Sequence, residues 1–189
     1  MFSFFFPAVE CGSVLAAYAI GCIATGYYLV KIKTGRDLRE LGTGSTGAKN
    51  VGRVLGKPWF VVTFLGDVAK GALAVAIPRM LHLGTGVELA CMLGLVVGHV
   101  WPVQLGFKGG KGMGPTLGAM LVLNPLIVLI YAGVALVLSM EFGFTKAGII
   151  ALVSLPVSPI ILKSNSRLEI SAYTFLVVIL LFAHRTNIR

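Results

Sequence analysis

Six apolar stretches, over roughly residues 9–30, 58–77, 86–104, 115–139, 144–162 and 168–183, take up most of this chain. About 20 apolar residues in α-helix cross a bilayer core. Inside hydrocarbon every backbone N–H and C=O must find its partner within the protein, so only helices and closed barrels span it. The apolar runs are too long and unbroken for the residue-by-residue alternation of a barrel strand. The sequence therefore predicts an all-α integral membrane protein, a single polytopic domain over residues 1–189. Its 12% of charged residues fits that class, since a soluble domain carries about 25%. Cys11, Cys22 and Cys91 are widely spaced, with no CxxC pair, which argues against a metal site or a disulfide framework. The N-terminus lacks a basic segment and a clear small-residue cleavage site, so the first apolar run reads as retained rather than as a signal peptide.

Charge predicts the topology. Of 16 Lys and Arg residues, Lys31, Lys33, Arg36, Arg39, Lys49, Arg53 and Lys57 crowd one interval. The positive-inside rule makes that loop cytoplasmic and puts the N-terminus outside. The same rule accounts for much of the net charge of +9 without a nucleic-acid partner. Anionic lipid and phosphorylated substrates can use the remainder. Two further crossings return Lys108 and Lys111 to the cytoplasmic side. The tail His184-Arg185-Thr186-Asn187-Ile188-Arg189 is also basic and also reads as inside. An even number of crossings must then separate Lys111 from His184, whereas simple hydropathy supplies three. A break at Asn124-Pro125 resolves the conflict, because proline lacks an amide donor and disfavours helix before it. About seven transmembrane helices follow, the one after residue 112 being short or partly re-entrant, with the C-terminus cytoplasmic.

This parity gathers three motifs on one face. The first, GTGSTGAKNVGR over residues 42–53, is rich in glycine, hydroxyls and cations, as an anion site or an ordinary basic loop would be. Arg53 is its best phosphate ligand, because a guanidinium matches phosphate oxygens bidentately. The second, GHVWPVQLGFKGGKG over residues 98–112, runs from an apolar segment into Lys108-Gly109-Gly110-Lys111-Gly112. Glycines there can expose several amides to one anion, and the lysines add charge. The loop is not a Walker A sequence, and His99 beside it fits either a site residue or an interfacial histidine. In the third motif His184 and Asn187 are three apart and share a helical face, although the tail also suits a stop-transfer cap. Asp67 and Lys70, three apart inside an apolar segment, are either functional or a self-neutralising pair. Glu10, Arg79, His82 and Glu88 lie at segment ends and read as solvated or headgroup-level residues.

Together and in this order, the motifs resemble the bacterial acyl-phosphate:glycerol-3-phosphate acyltransferases of the PlsY type, recognised by a GSGNxGATNxxR loop, a GHxFPVxLxFKGGKG segment and a terminal HRxNIxR. Gly66-Asp67-Val68-Ala69-Lys70-Gly71 is similar to that family's DxxKG helix. The resemblance covers nearly the whole chain. It implies seven helices in the bacterial cytoplasmic (inner) membrane, with the active site facing the cytoplasm. It also implies transfer of an acyl group from acyl phosphate to the 1-hydroxyl of glycerol 3-phosphate, giving lysophosphatidate and phosphate, without a metal or cofactor. Carried over residue by residue, Arg53, Lys108, Gly109, Gly110, Lys111 and Gly112 would hold phosphate. Thr43, which replaces the family's serine, would act with His184 and Asn187 on the substrate and its reacting carbonyl. Asn50, Asp67, Lys70 and His99 would support them. Acyl phosphate is already an activated anhydride, so orientation and charge stabilisation are the main tasks. The proton can pass to a substrate phosphate, or to His184 or His99 acting as base. Ser45, Lys49, Met113-Gly114-Pro115-Thr116, Thr186 and Cys22-Ile23-Ala24-Thr25 depart from the family pattern and mark a divergent member. The competing readings are a transporter for a phosphorylated solute, against which the absence of a detectable inverted repeat weighs, and a non-catalytic paralogue.

Overall fold

A computed structural model describes residues 8–185, and among them α-helix is the only extended regular structure. In chain order the helices are α1 (Ala8–Cys22), α2 (Thr25–Thr34), α3 (Ala48–Leu55), α4 (Lys57–Met80), α5 (Thr85–Val100), α6 (Met113–Leu123), α7 (Pro125–Ala151), α8 (Ser154–Ile161) and α9 (Arg167–Ala183). Short 3-10 turns lie at Leu38–Glu40 and Val103–Leu105. Four helical stretches are long and apolar enough to cross a membrane: Ala8–Thr34, Lys57–Met80, Thr85–Leu105 and Pro125–Gly143. The helix α6 is apolar but shorter.

Three of the expected segments are interrupted. The 9–30 run splits at Ile23 and Ala24, which are not helical. The 115–139 run breaks at Asn124, as its proline predicts: the Asn124 side chain accepts a hydrogen bond from the Leu126 amide at 3.1 Å and caps α7, and Pro125 occupies the first turn. There the missing amide costs nothing. The boundary expected between 139 and 144 is a kink within α7, at Gly143 (φ 71°, ψ 156°). The 144–162 run is divided between the end of α7 and the proline-containing α8.

The core sits on α5. Along the crossing of α1 and α5, Gly21 faces Gly98, and Gly94 lies against Val14. A Cβ on Gly21 would strike the Leu95 carbonyl, and one on Gly98 the Tyr18 carbonyl. The crossing of α4 and α6 is built the same way. A Cβ on Gly71 would meet the Pro115 carbonyl, and one on Gly118 the Val68 carbonyl. Small residues four apart allow this backbone approach where no hydrophobic effect drives helices together. Met92, Leu95 and Val96 of α5 are buried with Leu176 and Leu180 of α9.

At one end of the bundle Arg79 closes α4 onto α6. Its guanidinium bonds the Glu88 carboxylate at 2.5 Å and the carbonyls of Val122 and Leu123, which end α6. Glu88 is therefore buried and paired, not the solvated residue its position suggested. Cys22 and Cys91 are buried, whereas Cys11 lies on the exposed face of α1.

The packing generates a contrast. Gly98→Ala should lower the thermal unfolding midpoint in detergent, since a tight crossing resists an added methyl by ~1–3 kcal/mol. Gly133→Ala, with nothing within 4 Å of the added Cβ, should leave the midpoint unchanged or higher. Equal effects would remove the glycine crossing as the reason for this helix pairing.

Candidate active site

The site begins with the break between α1 and α2. Interrupting a helix releases carbonyls that need donors. Lys70, buried on α4, donates to the Ile23 carbonyl at 2.7 Å and the Gly21 carbonyl at 3.3 Å. Gln104 donates to the carbonyl between them, on Cys22. The Lys70 ammonium also lies 3.0 Å from the Asp67 carboxylate and 2.9 Å from His99 Nδ1. An ammonium can only donate, so His99 Nδ1 is the acceptor and the neutral ring carries its proton on Nε2. Thr25 adds a bond to Asp67 at 3.2 Å. Asp67, Lys70 and His99 thus form one buried cluster that holds the helix break open.

That cluster supports the glycine loop. The amides of Gly109 and Gly110 donate to the Val100 and His99 carbonyls at 3.1 and 3.0 Å, terminating α5. A Cβ on Gly110 would enter the His99 ring. This corrects the expectation that these amides cradle an anion: both are already engaged, and these two glycines shape the loop. Gly112 (φ 83°) caps α6 in the left-handed region, and a Cβ there would meet the Leu180 side chain of α9. The first amides of α6, at the start of a helix, have no intrahelical acceptor.

The 42–53 loop is organised by Asn50, which is 2% exposed. Its side-chain nitrogen donates to the Leu41 and Ser45 carbonyls, both at 2.9 Å, and its oxygen accepts from the Thr43 amide at 2.8 Å. Asn50 therefore positions the loop from within. The Thr46 amide then bonds the Gly109 carbonyl at 3.3 Å and joins the first motif to the second. Arg39 adds a second clamp: it pairs with Asp37 at 2.6 Å and donates to the Leu105 carbonyl at 2.7 Å. The Arg39 guanidinium holds the Asp37 carboxyl below its usual range.

On this scaffold the cations converge. Lys111 loses its proton more readily than a free lysine, first through burial and then through the charges of Lys49 and Arg53. Lys49 and Arg53 are both exposed on α3. His184 is buried at the end of α9, with Nδ1 2.9 Å from the Leu180 carbonyl. A carbonyl can only accept, so Nδ1 carries the proton and Nε2 presents a lone pair. Burial holds this imidazole below its usual range, and the charge of Lys111 adds to that, against the pull of the Leu180 carbonyl. Arg53, Lys111 and His184 are thus brought together. Lys108 and Thr43 are exposed on the flanking loops. Asn187 lies outside the described residues.

Several site-building residues escaped the sequence reading: Arg39, Gln104 and Thr25, together with Thr145, whose hydroxyl accepts from Lys49 Nζ at 2.6 Å. The Asp37–Arg39 spacing carried a weak signal. The others carried none, since their partners are backbone carbonyls or lie far away in sequence.

The fold and site define a helical membrane protein that gathers cations and a glycine loop at one end of its bundle. The family model described as glycerol-3-phosphate acyltransferase matches residues 11–189. Glycerol-3-phosphate acyltransferase 1 of Desulfitobacterium hafniense (strain Y51) is 42% identical over 177 residues, 93% of this chain and 87% of that protein. The enzyme of the same name from Bacillus cereus (strain ATCC 14579) is 37% identical over 173 residues, 91% of this chain and 94% of its own. The crystal structure of PlsY (YgiH), an integral membrane glycerol 3-phosphate acyltransferase, in its glycerol 3-phosphate form, superposes with a TM-score of 0.86 at 31% identity, covering 96% of this chain and 90% of that one. Its lysophosphatidic acid form gives 0.83 at 28% identity, with the same coverage. The chain belongs to the glycerol-3-phosphate acyltransferase family.

Two outcomes follow from this construction. Lys70→Met should cost ~3–5 kcal/mol, because it leaves a buried carboxylate uncompensated and the Gly21 and Ile23 carbonyls without their donor; denaturant unfolding of the purified protein would measure it. For His184 the folded protein binds the proton less readily than the unfolded chain. Its contribution is complete above the unfolded value of ~6.5 and is lost as pH falls through the lower folded value. His184→Gln should therefore flatten the acid limb of the stability–pH profile, and an unaltered limb would exclude this histidine as its source.

Proposed function

We propose that this acyltransferase takes its acyl group from acyl phosphate and delivers it to the 1-hydroxyl of glycerol 3-phosphate. The observation that carries this reading is the convergence of Arg53, Lys111 and His184 from three separate sequence motifs. In the reaction the hydroxyl oxygen bonds the acyl carbon, and the bond from that carbon to the bridging oxygen breaks, its electrons staying on the departing phosphate. The hydroxyl proton ends on that phosphate. Products are lysophosphatidate and inorganic phosphate.

Arg53 and Lys111 hold phosphate oxygens, with Lys108 at the mouth. The start of α6 beyond Gly112 adds amide donors and a favourable dipole for an anion. His184 accepts the glycerol hydroxyl at Nε2 and aims it at the carbonyl, and Thr43 and Asn187 complete the positioning. Gly109, Gly110, Asn50, Asp67, Lys70 and His99 act through the scaffold. With an activated anhydride as donor, positioning and electrostatic stabilisation suffice to drive transfer. The acyl chain lies between helices, open to the bilayer.

The proposed topology is a single domain over residues 1–189 with seven crossings of the bacterial inner membrane, N-terminus outside and C-terminus and site cytoplasmic. Contacts at the bundle ends support it. Lys49 meets Thr145, and Lys111 acts on His184, at one end. Arg79 joins Glu88 and the end of α6 at the other. Lys33 lies 4.5 Å over the Trp59 ring, beside the basic loop, a pairing typical of the headgroup level.

Purified protein in lipid, given glycerol 3-phosphate and palmitoyl phosphate, should release lysophosphatidate and phosphate in equal amounts. Arg53→Ala and Lys111→Ala should each lower kcat/KM by ~10²–10³, the scale of losing one preorganised charge partner. Equal product from acyl-coenzyme A would overturn the donor assignment.

A further inference from the structure

Lys49 stands where the related motif carries threonine, and nothing in the reaction described so far requires it. It occupies the second position of α3, and Arg53 follows one turn later. Residues four apart share a helix face, so two cations repel each other on a helix of eight residues. Lys111 joins them from the glycine loop. Among the described residues Lys49 bonds only the neutral hydroxyl of Thr145, at 2.6 Å. That bond fixes the ammonium in space and leaves its charge unneutralised. Thr145 lies two residues beyond Gly143, where the backbone of α7 leaves helical geometry. The reaction also brings two phosphates into one site, each carrying about −1.5 to −2 charges. Arg53, Lys111 and Lys108 bring three positive charges to that total, and a fourth cation would improve the match.

We propose that Lys49 is a further phosphate-binding residue of this site, parked on Thr145 when the site is empty and transferred to a substrate phosphate when it fills. The inference rests on the acyl transfer described above. A lysine suits the role, being a point charge on a flexible stem with three donors. The ligand chemistry is a terminal phosphate dianion, which glycerol 3-phosphate and acyl phosphate share.

The test is the KM for each substrate, measured separately in lipid for the wild type, Lys49→Thr, Lys49→Arg and Thr145→Val. Lys49→Thr should raise one KM about tenfold, with kcat nearly constant, the mark of lost ground-state binding. The substrate affected identifies the phosphate. The increase should shrink at high salt, which screens an exposed charge. Lys49→Arg should retain most of the affinity, and Lys49→Gln serves if the threonine variant folds poorly. Thr145→Val frees the ammonium and should not raise either KM. Unchanged KM values in an active Lys49→Thr enzyme would overturn the inference alone. An equal rise in Thr145→Val would make Lys49 a tether between α3 and α7 and overturn it too. A wild type that makes no product would bring down both the acyl transfer and this role for Lys49.

Discussion

A single buried ammonium, that of Lys70, makes the rest of the structure possible. A lone charge at that depth costs several kcal/mol. Here it has an aspartate, a histidine nitrogen and two carbonyls as acceptors. The carbonyls exist as acceptors only because α1 stops at Cys22, and α1 can stop there only because donors are waiting. Each side of the arrangement removes the other's penalty. Beyond the break, α2 brings Gly26 against the Thr46 carbonyl so closely that a Cβ would not fit. Thr46 in turn bonds Gly109. The helix break is therefore transmitted to the glycine loop through backbone contacts, with little side-chain freedom along the way.

The site above this scaffold gathers charge of one sign. At the mouth, burial and the charges of Lys49 and Arg53 together make Lys111 lose its proton more readily. The one carboxylate of the basic loop with a close partner, Asp37, is occupied by Arg39. Repulsion among the three is the counterpart of attraction for a phosphate. In the proposed reaction Arg53 and Lys111 stand in place before the ligand arrives, and Lys49 moves to it from Thr145.

The sequence was legible where a residue's chemistry left few choices. Pro125 could only end or start a helix, and α7 starts there. Apolar run length led to a helical membrane protein, and the motif order pointed to the right family. The break at Ile23 was not legible, because no proline marks it and its cause is Lys70, 47 residues away. The same distance effect hid Arg39, whose partner is a carbonyl 66 residues on. The glycine loop misled in one respect. Glycine permits exposed amides, but it also permits close approach, and at Gly109 and Gly110 the second use prevails. For Glu88, position at a segment end suggested solvent, whereas pairing with Arg79 allowed burial.

The helix α7 differs from its neighbours in how it is held. Between Pro125 and Gly143 almost none of its apolar surface is covered by protein. Its fixed points are the Asn124 cap at one end, and the Tyr131 bond to Gly148 and the Thr145 contact with Lys49 towards the other. Lipid chains are thus its packing partners around most of its circumference. A fluid that changes with growth temperature stands where other helices have fixed side chains. A change in the thickness or order of those chains therefore bears on this helix before it bears on the core around α5.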